Sequence, residues 1–242
     1  MNLNYQQSTC RMIVYDADCI QRPDKSWFVP GFWRQSGAVT GTASGRGSSL
    51  MLETPFGPAV LRTYLRGGWM ARLSRDRYLF TGYHKSRPLA EVQILAKLLD
   101  MDLPVPQPLA GQCQRDGMTY CGALLTRQII PAVPLADRLI GMAAGSAAWS
   151  LIGHCIRRFH DAGVVHPDLN ARNILLGAHG GETGDIYVVD FDRAYLRAGA
   201  FRCFRSNMDR LHRSLQKLWP AGHASQLQAC WQDLMAGYDS AA

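Results

Sequence analysis

Asp168 and Asn173 stand five residues apart in Val165-His166-Pro167-Asp168-Leu169-Asn170-Ala171-Arg172-Asn173-Ile174-Leu175-Leu176, a loop that runs into an apolar strand. Fourteen residues past Leu176, a second apolar strand ends in Val188-Val189-Asp190-Phe191-Asp192. Phosphoryl transfer from ATP needs these groups: a carboxylate to receive and orient the acceptor hydroxyl, and two oxygen ligands on different strands to hold Mg²⁺ against the phosphates. Asp168, Asn173 and Asp190 supply all three. Singly, an Asp ending a strand is a turn former and a loop Asn caps backbone groups. Together, H-x-D-x-x-x-x-N followed by a strand-borne D-F-D is a specific pattern. Since Asp168 already serves as base, His166 reads as a packed histidine that braces the backbone.

The elements that must position these residues follow from pattern. Ser48 to Glu53 and Ala59 to Tyr64 are short apolar runs around Pro55, Gly57 and Pro58, which predicts a strand pair. From Pro88 the period becomes helical, with Leu89, Val92, Leu95, Leu98 and Leu99 on one face. Leu103-Pro-Val-Pro-Gln-Pro108 ends that helix in extended backbone. Gln112 to Leu125, split by Asp116-Gly117, reads as a hairpin. Beyond Pro134 the chain is mainly helical, broken by strands around 174–176 and 186–189. The fold class expected is therefore α+β, with a β-rich N-lobe over 1–130, a helical C-lobe over 131–242, and a hinge near Thr126 to Pro131.

Composition bounds the rest. The 242 residues are 47% hydrophobic and 19% charged, an ordinary globular balance. Seven cysteines with no C-x-x-C suggest neither a disulfide framework nor zinc, and a reducing compartment is expected. The start, MNLNYQQSTCRM, lacks the apolar core of a signal peptide. Leu139 to Ile156 is eighteen residues without a formal charge, near membrane-spanning length. Its glycines, serines and His154 dilute it, and Trp149, Ile152, Ile156 and Phe159 recur on one side, so a buried amphipathic helix is expected. The net charge of +7 is uneven. Residues 62–87 hold seven Lys/Arg against Asp76, a net +6, and residues 193–217 hold seven against Asp209, again +6. Two basic clusters on a near-neutral body point to an anionic partner. No helix-turn-helix, zinc or RNA-binding signature accompanies the charge, so nucleic acid is not the expected partner.

The chain resembles the protein-kinase-like superfamily, and more narrowly the 3-deoxy-D-manno-octulosonic acid (Kdo) kinase family of lipopolysaccharide assembly. The residues carrying the resemblance are Gly45-Arg46-Gly47, Leu61-Arg62-Thr63-Tyr64-Leu65-Arg66-Gly67-Gly68, Asp76-Arg77-Tyr78, Leu103-Pro104-Val105-Pro106, the His166 to Leu176 segment and Asp190-Phe191-Asp192. They run from about residue 40 to 217. The resemblance implies a bilobal kinase fold, ATP and Mg²⁺ as cofactors, Asp168 as catalytic base, and Asn173 and Asp190 as metal ligands. Gly45, Arg46 and Gly47 are similar to the phosphate-covering loop of kinases, although the spacing is not G-x-G-x-x-G. The third-strand lysine of kinases falls at Arg62, which can pair bidentately with phosphate and with a helix carboxylate. Glu91, the only acid in the first three turns of the helix after Pro88, is its natural partner; otherwise Glu91 is a surface carboxylate at a helix N-terminus. If Arg62 points to solvent instead, Arg46 is left to grip the nucleotide.

The implied acceptor is Kdo-lipid IVA or a related anionic glycolipid, phosphorylated on the 4-OH of Kdo at the cytoplasmic face of the bacterial inner membrane, with the protein peripheral. Arg66, Arg72, Arg75 and Arg77, around the apolar Trp69-Met70, are expected to dock on the lipid surface or grip its headgroup, and the 193–217 segment to add a second basic face. The alternatives are a heptose kinase or other small-molecule kinase of the same fold, and a non-enzymatic pseudokinase that binds lipid or nucleic acid.

Overall fold

The computed structural model describes residues 1–43, 49–64, 78–178, 185–221 and 223–240. They form two compact units: Met1–Asp100 with Pro106–Gln128, and Met101–Val105 with Ile129–Ala242. The first is sheet-rich and the second mainly helical, the α+β class expected.

The first unit contains β1 (Leu3–Ser8), β2 (Arg11–Asp16), a 3₁₀ turn (Lys25–Phe28), α1 (Pro30–Gln35), β3 (Val39–Ala43), β4 (Ser49–Thr54), β5 (Gly57–Thr63), β6 (Tyr78–Leu79), α2 (Arg87–Asp100), β7 (Pro108–Asp116) and β8 (Thr119–Arg127). The strands make one antiparallel sheet in the order β1-β2-β7-β8-β5-β4-β3, with β6 on β8. Alternation decides which side chains are buried on each face. Ile13, Leu50, Leu52, Ala59, Leu61 and Leu125 project to one side, where Phe28 and Trp33 close a core over them. The other face takes α2, whose Leu89, Val92, Leu95 and Leu98 are fully buried. Each contributes about 1.5–3 kcal/mol of transfer free energy. The close approach depends on missing side chains: a Cβ at Gly111 would meet Val92 and the Pro88 carbonyl, and one at Gly122 would meet the Pro88 ring. The β7–β8 hairpin turns at Gly117, whose φ of 58° is left-handed.

The second unit contains β9 (Val133–Pro134), α3 (Ala147–Asp161), β10 (Val164–Val165), β11 (Ile174–Leu176), β12 (Ile186–Val188), β13 (Tyr195–Leu196), α4 (Phe201–Leu218) and α5 (Ala224–Asp239). The uncharged stretch from Leu139 is not one helix. Leu139–Gly141 is a 3₁₀ turn, Gly145 is left-handed at φ 83°, and Ser146 caps α3 by accepting from the Ala148 N–H. The expected stripe of Trp149, Ile152, Ile156 and Phe159 is buried. Among the described residues no helix is long and apolar enough to cross a membrane. Gly153, which dilutes that stripe in sequence, has a packing reason: a Cβ there would collide with the Leu234 carbonyl of α5, and one at Gly237 with the Ser150 carbonyl of α3. The two helices cross backbone to backbone at a pair of glycines.

Candidate active site

In the second unit, Asp168 sits in the loop between β10 and β11. Leu169 and Ala171, 2% and 0% exposed, anchor that loop in the core, while Asp168 itself is exposed. Two amides hold its backbone carbonyl: Asn170 Nδ2 donates at 2.8 Å and Asn173 Nδ2 at 2.9 Å. With its carbonyl pinned and its neighbours buried, the Asp168 side chain is presented on a fixed backbone. The same bond orients Asn173, whose Oδ1 is an acceptor without a partner among the described residues. β11 pairs antiparallel with β12, Ile174 opposite Val188, and the pairing extends one step as the Val189 N–H donates to the Asn173 carbonyl at 2.9 Å. Asn173 and Asp190 therefore leave adjacent strands at the same end. Asp190 is left-handed at φ 65°, a conformation an aspartate adopts more readily than most side chains and one that redirects the chain as the strand ends. Phe191 next to it is buried, stacked 5.9 Å from Phe159 and edge-on to His166 at 5.0 Å.

His166 is buried and its Nε2 donates to the Val189 carbonyl at 3.1 Å, so it ties the Asp168 loop to the strand end that carries Asp190. Burial holds its pKa below the ordinary histidine value and keeps it neutral. A further brace comes from a residue the sequence reading passed over. Asn207, 4% exposed on α4, accepts from the His166 N–H at 3.0 Å and donates to the carbonyls of His166 at 3.1 Å and Cys203 at 3.2 Å. In that orientation His160 Nε2, 3.3 Å from the amide, donates to it, and Tyr238 donates its hydroxyl to His160 Nδ1 at 2.6 Å. Burial pushes the His160 pKa down to about 4. One helical turn pair further on, Ser214 Oγ accepts from the Ala171 N–H at 3.2 Å. The signal for both was available: Phe204, Asn207, Leu211 and Ser214 share one face of a helix, and a polar side chain on an apolar stripe needs a partner.

In the first unit, β5 alternation puts Arg62 and Tyr64 on the α2 side of the sheet. The structure brings Arg62 together with Glu91 of α2 in a salt bridge, with side-chain exposures of 20% and 3%. Arg62 Nη2 also donates to the Tyr64 hydroxyl at 2.9 Å, and that hydroxyl donates to the same Glu91 oxygen. Glu91 is thus a buried carboxylate with two donors on Oε2, not a surface group near a helix terminus. Tyr64 was the unforeseen member, although its i, i+2 relation to Arg62 announces the shared face. Elsewhere in the first basic cluster Arg87 lies over the Tyr78 ring, 4.7 Å from its centroid, and Lys85 is exposed. Gly45, Arg46, Gly47, Arg66, Arg72, Arg75 and Arg77 lie outside the described residues.

The family model for "Lipopolysaccharide kinase (Kdo/WaaP) family" matches residues 31–238. The chain belongs to that family. This lipopolysaccharide kinase is 43% identical over 208 residues to a 3-deoxy-D-manno-octulosonic acid kinase of Xanthomonas oryzae pv. oryzae, a match covering 85% of this chain and 80% of the relative. It is 37% identical over 229 residues to a protein of the same name from Stenotrophomonas maltophilia, covering 95% and 90%. Among solved structures, WaaP in complex with acyl carrier protein superposes with a TM-score of 0.52 at 15% identity, covering 86% of this chain and 85% of that one, a likeness of fold. Family membership makes the chain a kinase, a phosphotransferase using ATP. Asn173 and Asp190, at the same end of neighbouring strands, carry hard oxygen donors of the type that Mg²⁺ takes. Among the described residues no group of three or more His, Cys, Asp or Glu forms a competing metal centre.

Proposed function

We propose that the protein transfers the γ-phosphoryl group of ATP to the 4-OH of Kdo in Kdo-lipid IVA at the cytoplasmic face of the inner membrane. The observation that supports this reading is the pair of bonds from Asn173 Nδ2 to the Asp168 carbonyl and from the Val189 N–H to the Asn173 carbonyl, which ties the Asp168 loop, Asn173 and the residue before Asp190 together at one strand end. Asp168 accepts a hydrogen bond from the sugar hydroxyl, aims its oxygen at phosphorus and takes the proton as the bond forms. Asn173 Oδ1 and the Asp190 carboxylate would hold Mg²⁺, which would supply neutralisation of the phosphate charge. Arg62, its guanidinium fixed by Glu91 and Tyr64, contributes a rigid donor plane to the nucleotide phosphates, while Gly45, Arg46 and Gly47 cover them.

The acceptor is membrane-resident, and the second basic segment supports a peripheral docking face. Arg197, Arg202, Arg205, Arg213 and Lys217 are exposed, and Phe201 is 78% exposed beside Tyr195 at 42% and Leu196 at 36%. Exposed aromatic and apolar side chains among arginines suit an anionic lipid interface. Arg66, Arg72, Arg75 and Arg77 serve as the second contact.

Incubation with labelled ATP and a panel of Kdo-lipid IVA, heptosylated lipid and soluble sugars tests the acceptor. Label on the Kdo 4-OH is expected, and label on heptose alone would redirect the reading to a heptose kinase. Asp168→Ala should lower transfer by about 10²–10⁴-fold with nucleotide binding kept. An unchanged rate would reject Asp168 as the base.

A further inference from the structure

In the first unit, at the β1 edge of the sheet and therefore at the opposite edge from β3, an open cleft of about 470 Å³ lies between the β1–β2 hairpin and the 22–25 loop. We infer that this cleft is a second anion site, for a phosphomonoester, separate from the nucleotide site. Gln6 and Ser8 of β1 line it with Arg11 of β2, and Arg22, Asp24 and Lys25 of the following loop close it. All of these residues precede the segment matched by the family model, residues 31–238.

The charge is what identifies the ligand. Three cations meet one carboxylate, leaving a net +2, the complement of a phosphomonoester dianion. Asp24 Oδ1 accepts from the Ser26 N–H at 2.8 Å, capping the 3₁₀ turn, and Lys25 and Arg22 attract its carboxylate without a hydrogen bond to it. Among the described residues Arg22 and Lys25 make no hydrogen bond or ion pair. Arg11 spends one of its donors on the protein, Nη2 to Gln114 Oε1 at 2.9 Å, which fixes the guanidinium plane. Asp24 offsets part of the repulsion among these cations, and a bound anion would offset the remainder. A fixed guanidinium, two exposed cations and the Gln6 amide make a phosphate cradle of groups with hydrogen bonds to give, while the Ser8 hydroxyl donates to the Arg11 carbonyl at 3.5 Å. The phosphomonoester comes either free in solution or on a lipid headgroup.

The test uses the full chain with the nucleotide site saturated by a non-hydrolysable ATP analogue. Titration calorimetry with sn-glycerol 3-phosphate probes the free source, and co-sedimentation with phosphatidylcholine vesicles, with and without phosphatidic acid, probes the lipid source. Binding in at least one arm is expected, weakened about tenfold for each of Arg22→Gln and Lys25→Gln, equivalent to about 1.4 kcal/mol apiece. The exposed Lys97→Gln on α2 is the control for bulk charge and should leave binding unchanged. Binding to phosphatidic acid vesicles but not to the soluble ester assigns the site to a lipid headgroup, and the reverse assigns it to a free phosphate. No binding in either arm overturns the proposal, as does an equal loss in the Lys97 control. Because both readouts are binding, failure here leaves the phosphotransferase reading untouched, and loss of kinase activity leaves this site standing.

Discussion

Replacing Glu91 by Gln removes one charge from a buried three-residue cluster while keeping its volume. Two donors, Arg62 Nη2 and the Tyr64 hydroxyl, converge on Glu91 Oε2, and the carboxylate is 3% exposed. A hydrogen bond to a charged acceptor contributes about 1.5–3 kcal/mol and a neutral one about 0.5–1.5, so neutralising the acceptor costs about 1–1.5 kcal/mol for each of the two bonds. Arg62 then loses the Glu91 charge, but its side chain is 20% exposed, so water screens part of that penalty and it adds at most about 1 kcal/mol. The expected loss is about 3 kcal/mol, or a fall in Tm of about 6–12 °C for a chain of this size. The assay is a double-mutant cycle with Arg62→Gln, read by thermal and urea unfolding. Removing both charges leaves no orphan, so the double variant should be about 2 kcal/mol less destabilised than the sum of the singles. Nucleotide affinity should fall in every variant of the cycle, since each frees or deletes the Arg62 plane. Additivity within about 0.5 kcal/mol, or a Glu91→Gln protein that melts with the wild type, refutes the buried pair as the device that fixes Arg62.

Gly153→Ala should destabilise by about 2 kcal/mol or more, because its Cβ would collide with the Leu234 carbonyl and backbone cannot swing aside; thermal unfolding measures it, and an unchanged Tm contradicts the glycine crossing. Stability should fall on acidification: unfolded His160 takes a proton near 6.5 but folded His160 only near 4, so its contribution is complete above pH 6.5 and is lost as pH drops through that window, by about 3 kcal/mol. Buried His166 acts in the same direction, and urea midpoints of wild type and His160→Gln between pH 4 and 7 should show a flatter dependence in the variant. Asn207→Ala breaks the bonds to His166 and Cys203 and should cost about 2–3 kcal/mol, with kcat falling while KM for ATP holds; a fall in KM-limited binding alone would contradict a role in positioning the Asp168 loop.

The parts of the fold that were legible are those where local chemistry and tertiary packing agree. The Asp116-Gly117 turn, the α2 stripe of Leu89, Val92, Leu95 and Leu98, and the paired runs at 49–54 and 57–63 each carry their own period or turn signal. In the 139–156 stretch the amphipathic stripe was legible but the start of the helix was not, because absence of charge does not set helix length. Gly145 and the Ser146 cap decide the start of α3, and the charged Arg157 and Arg158 continue it on the exposed side to Asp161. Among site residues, the Arg62–Glu91 partnership could be argued from type and position, but Tyr64 as third member could not. Its burial follows from the sheet face it shares, and its hydroxyl partner sits twenty-seven residues away on another element.

The second basic segment shows most clearly what charge counting hides. Its seven cations, five of them on α4, drew attention to the exposed side of that helix, whereas the buried side braces the Asp168 loop. Phe204, Met208, Leu211 and Leu215 pack inward, and Asn207 and Ser214 interrupt that stripe at the two places where a backbone amide of the Asp168 loop needs an acceptor. A leucine at either position would improve the apolar stripe and strand a buried N–H, at about 1–3 kcal/mol each. The helix therefore has two chemically distinct faces. Its inner polar atoms hold the backbone of the Asp168 loop, and its outer arginines are exposed, the side for which lipid docking is proposed.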